Sequence, residues 1–306
     1  MKPLLQLNTL FISMVMEAIP FILVGVIVSG LIQTFVTEKW ISRIVPGNRY
    51  FSILFGCGIG ALFPSCECGI VPITRRLIGK GMPLHAGIAF MLTGPIINPI
   101  VLFATFIAFG NDWTMVAIRG GLAVVVAFVV AVVVSFLFKD DPIRRAESEA
   151  AAQTAVAAEP IRRQETAAAT ALQKCGGVMS HAIDEFFAVG KYLVLGAFVA
   201  AGMQTFLPTA HLLGIGHHPL AASLVMMAFA YVISLCSEAD AFIASSFRST
   251  FSTGALSAFL VFGPMVDIKN TIMLLSAFRG KFVAVLIGLI ALLTWLGSLL
   301  VGWWLA

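Results

Sequence analysis

The chain has 306 residues, 59% of them hydrophobic and only 11% charged, with a mean hydropathy of +1.00. Soluble domains carry about 25% charged residues, so the composition excludes that class and specifies a polytopic, all-α membrane protein in contact with the lipid bilayer. The net charge of +4 is spread over loops, and no basic run is long enough for a nucleic-acid surface.

Thr9–Val36 is longer than the roughly 20 apolar residues that cross a bilayer. It follows only Lys2, lacks a small-residue cleavage site and reads as a first span rather than a removed signal. Glu17 and Pro20 interrupt it, and Glu17 is either a pathway carboxylate or an interfacial one, with the interface slightly favoured. After a loop bearing Lys39, Arg43 and Arg49, the run Phe51–Phe63 ends in Pro64-Ser65-Cys66-Glu67-Cys68-Gly69. A carboxylate at membrane depth is costly and usually faces protein, water or an ion. Cys66 and Cys68 would point to opposite sides of a regular helix but share a side in an extended segment. Gly69 and Pro72 favour unwinding, which a membrane tolerates only in a cavity lining or within protein. Two readings stay open: a ligand or ion site on a broken helix, or two apolar-tolerant cysteines beside an interfacial glutamate.

A basic turn at Arg75, Arg76 and Lys80 leads to Pro83–Gly110, broken near its middle by Thr93-Gly94-Pro95-Ile96-Ile97-Asn98-Pro99. Two prolines and a glycine so close together free backbone groups from the helical ladder. Trp113–Phe138 is a fourth apolar segment, with Arg119 close enough to one end to snorkel. Residues 139–180 are Ala-rich and mixed in charge, a linker expected to be disordered. Cys175 falls within it without an assigned role. His217-His218 is read as a solvated turn.

The second half repeats the first. Gly25, Gln33, Thr34, Phe35 and Glu67 recur at one offset as Gly196, Gln204, Thr205, Phe206 and Glu238. Gly94-Pro95-Ile96-Ile97-Asn98 meets Gly263-Pro264-Met265-Val266-Asp267. The matches fall on the features that break helices, and paired interrupted helices mark a transporter's central site. The expected organisation is a first transmembrane repeat over residues 1–138, the linker, and a second repeat over 181–306. Each repeat has about four apolar segments, and the broken helices meet centrally. Cys68 is replaced by Ala239 with Asp240 following, and Asn98 by Asp267 with Lys269 and Asn270 behind it. Lys269 either neutralises Asp267 or has a functional role. Eight spans with parallel halves are favoured on apolar length; re-entrant hairpins with inverted halves are the alternative.

The Pro-Ser-Cys-Glu-Cys-Gly-Ile-Val-Pro knot, the Arg75-Arg76 turn and the Thr-Gly-Pro-Ile-Ile-Asn-Pro break resemble the YraQ-like permeases, a family related to the arsenical permeases. The resemblance covers both halves. It implies a multi-pass protein of the bacterial inner membrane that exports soft metal ions or trivalent organoarsenicals. Many relatives have Ser between the two cysteines, where this chain has Glu67; that suits a cation better than a neutral arsenical.

The residues agree in class. Thiolates favour soft or borderline ions, and binding to deprotonated ligands releases protons that could couple transport. The expected substrate-binding set is Cys66, Glu67, Cys68, Asn98, Cys236, Glu238, Asp240, Asp267 and Asn270. Cys66, Glu67, Cys68, Cys236 and Glu238 would be the metal ligands, with Glu67 and Glu238 facing one another across a cavity. No cofactor is expected and no nucleotide-binding motif is present, so the chain reads as an ion-coupled permease rather than an enzyme. A membrane thiol oxidoreductase, using Cys66 with Cys236, is an alternative. A membrane subunit that works only with a partner is another.

Overall fold

Where water is absent, the backbone of an apolar run can satisfy its polar groups only through the helical ladder, and the chain folds accordingly. The computed structural model describes residues 2–35, 37, 41, 43–63, 66–138, 171–206 and 219–304. Twelve helices lie within them: α1 (Lys2–Phe35), α2 (Arg49–Leu62), α3 (Glu67–Gly79), α4 (Leu84–Ile97), α5 (Pro99–Ala108), α6 (Trp113–Leu137), α7 (Ala171–Phe206), α8 (Pro219–Ile233), α9 (Ser237–Ser246), α10 (Thr253–Met265), α11 (Ile268–Ala277) and α12 (Gly280–Trp304). No strand occurs among the described residues. Pro64, Ser65, His217, His218 and residues 139–170 of the linker lie outside them. The stretch 171–180, read from sequence as linker, belongs to α7.

Among the described residues, six stretches are long and apolar enough to cross a membrane: Leu4–Ile32, Leu84–Ala108, Trp113–Leu137, Phe186–Thr205, Thr253–Ala277 and Gly280–Trp304. The second and fifth run through a helix break. The other two apolar segments contain shorter helices, α2 and α8. The 14 residues of α2 rise only ~21 Å, against a hydrocarbon core of ~30 Å. Eight apolar segments of sequence thus become six spanning lengths and two shorter helices. Each short helix stops where a cysteine-bearing break begins.

Neither short helix folds back chiefly on the helix that follows it. α2 packs along α4 and α6, whereas α3 packs against α1, α4 and α11. In the other half α8 packs along α10 and α12, and α9 against α5 and α10. The two longest helices, α1 and α7, lie along one another. The span formed by α10 and α11 is the most enclosed, 83% buried against 28% for α12.

Small residues set the closest approaches, as is usual where lipid provides no hydrophobic drive between helices. A Cβ on Gly25 of α1 would lie 2.9 Å from the Gly69 Cα of α3. One on Gly196 of α7 would lie 3.0 Å from the Lys269 Cα of α11. The long helices thereby press directly on two of the broken ones.

Candidate functional site: a buried charged centre at the helix breaks

Four helices begin inside the protein, each where the chain cannot continue the previous ladder. Asn98 caps α5, accepting the Ile100 N–H at 2.9 Å, and Pro99 stands at the first helical position, where its missing N–H is not needed. Asp267 caps α11 in the same way, through the Asn270 N–H, and the Asn270 amide reaches back to the Met265 carbonyl at 3.0 Å. Cys66 and Cys236 occupy the cap positions of α3 and α9 in extended conformation, and neither side chain makes a capping bond. Acidic residues fill those first turns instead, Glu67 in α3 and Glu238 with Asp240 in α9, where the helix dipole favours them.

The four starts meet in two junctions, α3 against α11 and α5 against α9. In the first, Lys269 Nζ stands 3.9 Å from Asp267 Oδ2, with both side chains buried. In the second, Arg119 of α6 has no exposed surface. It donates from Nη1 to Thr105 Oγ1 (2.7 Å) and from Nη2 to the Ser237 carbonyl (2.9 Å). One bond joins the junctions: Ser237 Oγ donates to Glu67 Oε1 at 2.7 Å, and both residues are buried. Thr105, Arg119, Ser237 and Glu67 therefore form a continuous polar chain through α5, α6, α9 and α3.

Several polar atoms at this centre are buried with no hydrogen-bond partner: Arg119 Nε, Asp240 Oδ2, Asp267 Oδ2 and Asn270 Oδ1. Unsatisfied polar atoms at membrane depth are costly, and so many together mark a site rather than a packing core. Backbone strain adds to this: Ser234, two residues before Cys236, adopts φ +49°, and its Oγ accepts the Ile268 N–H at 3.0 Å.

The expected site residues distribute as follows. Glu67, Cys68, Asn98, Asp240, Asp267 and Asn270 are buried around the two junctions. Cys66, Cys236 and Glu238 are half-buried at their rim. The Cys66 and Cys68 thiols are within hydrogen-bonding contact, because the cap residue is extended. Cys236 is on α9, and its thiol contacts Glu17. Among the described residues no three His, Cys, Asp or Glu side chains stand together as a ready metal cage.

Three residues carry more than the sequence reading assigned them. Glu17, left between a pathway and an interfacial role, is half-buried on α1 and stands near Cys236. Arg119, expected to snorkel, is buried. Ser237, to which the sequence reading gave no role, carries the bond between junctions. The polar Thr105 in an otherwise apolar helix and the lone charge of Arg119 in a 25-residue apolar helix were the available signals. Near the outer end of the second junction lies a pocket of about 190 Å³, lined by Phe109, Asp112, Met115, Arg248 and Phe251 among others. Met115 stands one helical turn from Arg119 on the same face of α6.

Residues 3–303 match the ArsP_1 family, described as a predicted permease. The chain belongs to the ArsP_1 permease family. It is 58% identical over 297 residues to UPF0718 protein YcgR of Bacillus subtilis, covering 97% of each chain. It is 44% identical over 298 residues to the Streptococcus mutans protein named "Putative two-component membrane permease complex subunit", covering 97% of this chain and 95% of that one. UPF0718 protein YraQ of Escherichia coli is 26% identical over 125 residues, 41% of this chain and 36% of that one. No solved structure matches. The resemblance to YraQ-like permeases thus holds. With six membrane-crossing lengths, the chain is a multi-pass permease of the bacterial cell membrane.

Proposed function

We propose that this ArsP_1 permease is a secondary transporter, not an enzyme, that exports a soft metal cation past the two junctions. The observation that carries the reading is the 2.7 Å bond from Ser237 to Glu67, which links the two cysteine-bearing breaks through a buried charged centre. An intramembrane ionisable group is by default a functional one, and here Glu67, Asp240, Asp267, Lys269 and Arg119 are all buried. Corresponding breaks in the two halves support a pseudo-repeated architecture, with α3 and α9 as one pair and α5 and α11 as the other.

Cys66 and Cys68 supply soft donors on α3, and Cys236 supplies one on α9. Because these thiols sit on different helices, the set of Cys66, Glu67, Cys68, Cys236 and Glu238 closes on a cation as α3 and α9 move relative to each other. Asn98 and Asp267 hold the helix starts in register, and Asp240 and Asn270 add oxygen donors. Coordination requires deprotonated ligands, so cation arrival displaces protons and couples the two movements.

Deleting the gene should raise cell zinc or copper and sensitise the cells to that metal, and purified protein in vesicles should move the same ion. Unchanged metal content and tolerance, together with inert vesicles, would refute cation export. The name of the Streptococcus mutans relative favours one addition, a second subunit. On that reading a membrane protein co-purifies with the chain, and vesicles containing both transport while vesicles with the chain alone do not.

A further inference from the structure

Arg119 is a full charge with no exposed surface, and its hydrogen-bonding capacity is only partly used. Thr105 Oγ1 and the Ser237 carbonyl, both neutral oxygens, take its two Nη groups, while Nε has no partner. A guanidinium at this depth persists only if nearby negative charge compensates it. Asp240, Glu238 and Glu67 are the carboxylates that act on it.

Asp240 has the complementary deficit. Its Oδ2 is buried without a donor, and it faces Gly263, where a Cβ would lie 3.1 Å away. The glycine of the second Gly-Pro break leaves that oxygen its room. An unused acceptor on the first turn of α9 and an unused donor on the arginine that bonds that turn's Ser237 carbonyl therefore carry opposite charge. Lys269, the other buried cation, is placed differently, already 3.9 Å from Asp267.

We propose that Arg119 is the permease's internal cation: it compensates the buried carboxylates of the α5–α9 junction whenever the transported cation is absent. This rests on the cation-export reading above. A loaded centre is neutralised by its substrate. An empty centre with several buried carboxylates and no cation could not change conformation without a large desolvation cost. With Arg119 present the empty centre stays compensated and can reset, so the protein performs net transport rather than only exchanging one bound cation for another. The bonds to Thr105 and Ser237 act in positioning: they hold the guanidinium against α9 from a third helix. The pocket of about 190 Å³ is lined by Met115, which stands one helical turn of α6 from Arg119.

The test uses the purified full-length chain in vesicles loaded with radiolabelled zinc. Net zinc efflux is measured into zinc-free buffer, and exchange is measured against unlabelled external zinc. Arg119→Gln should keep exchange near the wild-type rate while net efflux falls by about 100-fold or more. Arg119→Lys, which keeps the charge, should recover much of the net efflux. Should Arg119→Gln fold poorly, Arg119→Gln/Asp240→Asn removes charge from both sides, and recovery of folding in that double variant supports the compensation. Unchanged net efflux in Arg119→Gln overturns the proposal. So does a folding defect that Asp240→Asn does not repair, since that marks a purely structural arginine. Wild-type vesicles that neither exchange nor release zinc refute cation export itself, and the internal-cation role with it.

Discussion

The α3–α11 and α5–α9 junctions use the same part, a helix start exposed at a break, yet they bury positive charge in different ways. At the α3–α11 junction Lys269 comes from a broken helix and stands beside its own carboxylate, Asp267, and the long helices α1 and α7 cover the pair at glycine contacts. At the α5–α9 junction Arg119 comes from an unbroken span and rests on neutral oxygens, with its carboxylates in reach but not bonded. The first arrangement is a closed ion pair, the second an open one. An ion pair closed within one turn needs little from its surroundings. An arginine supported from a neighbouring helix ties α5, α6 and α9 together, so its environment changes when any of them moves.

The largest expected effect comes from removing the charge at the link between the junctions. Glu67→Gln keeps the shape and an acceptor for Ser237 but removes the charge, and it should abolish transport in vesicles while leaving the protein folded. Glu238→Gln, at a half-buried position, should reduce transport less. Equal losses from the two variants would mean that burial does not rank them.

Next is the closed pair. Lys269→Met leaves the Asp267 carboxylate buried without its cation, and removing one partner of a buried pair costs about 3–5 kcal/mol. Thermal unfolding in detergent should show that loss, and Lys269→Met/Asp267→Asn should recover most of it. A double variant as unstable as the single would show that the pair is not the unit.

Smaller again is the covering contact. Gly25→Ala drives a Cβ to within 2.9 Å of the Gly69 Cα, and overpacking of this kind costs about 1–3 kcal/mol. Gly58→Ala, with nothing within 4 Å of its Cβ, should instead be neutral or gain up to ~1 kcal/mol from helix propensity. Similar melting shifts for the two glycines would remove α1 from the account of the first junction.

The smallest effect lies at the mouth of the second junction. The Thr114 N–H and hydroxyl, with a lesser contribution from Arg248, hold the Asp112 carboxyl below the usual carboxylate range. A carboxyl with a depressed folded-state pKa stabilises the fold above its unfolded value, near 3.9, and loses that contribution as pH falls through the folded value. Melting temperature followed from about pH 5 downward should therefore fall slightly less steeply for Asp112→Asn than for wild type. Parallel curves would show that the loop end adds nothing.

Much of the scaffold was legible in the sequence. The breaks before Pro99 and at Asp267 follow from local chemistry, because proline withdraws an N–H and a following Asn or Asp side chain supplies the cap. The extended Cys66, which brings its thiol to Cys68, was one of two conformations the knot allowed, and the cap geometry selects it. Glu17, left between two roles, and Arg119, expected to snorkel, were hard to place for a common reason. Each stands in a long helix that is apolar on every side, where nothing in the pattern tells a protein-facing position from a lipid-facing one.

That distinction separates what the sequence determined from what the tertiary structure decided. The sequence determined that the chain spans a membrane, where its helices break, and which capping residues and carboxylates stand at the breaks, since these depend on groups within a few residues of each other. Only the tertiary structure decided that Arg119 is buried, that α1 and α7 cover one junction, and that Ser237 bonds Glu67 across 170 residues of chain. Lipid and protein interior are equally apolar, so hydrophobic periodicity does not orient a membrane helix. The orientation is set by where small residues allow close approach and where buried charges find one another.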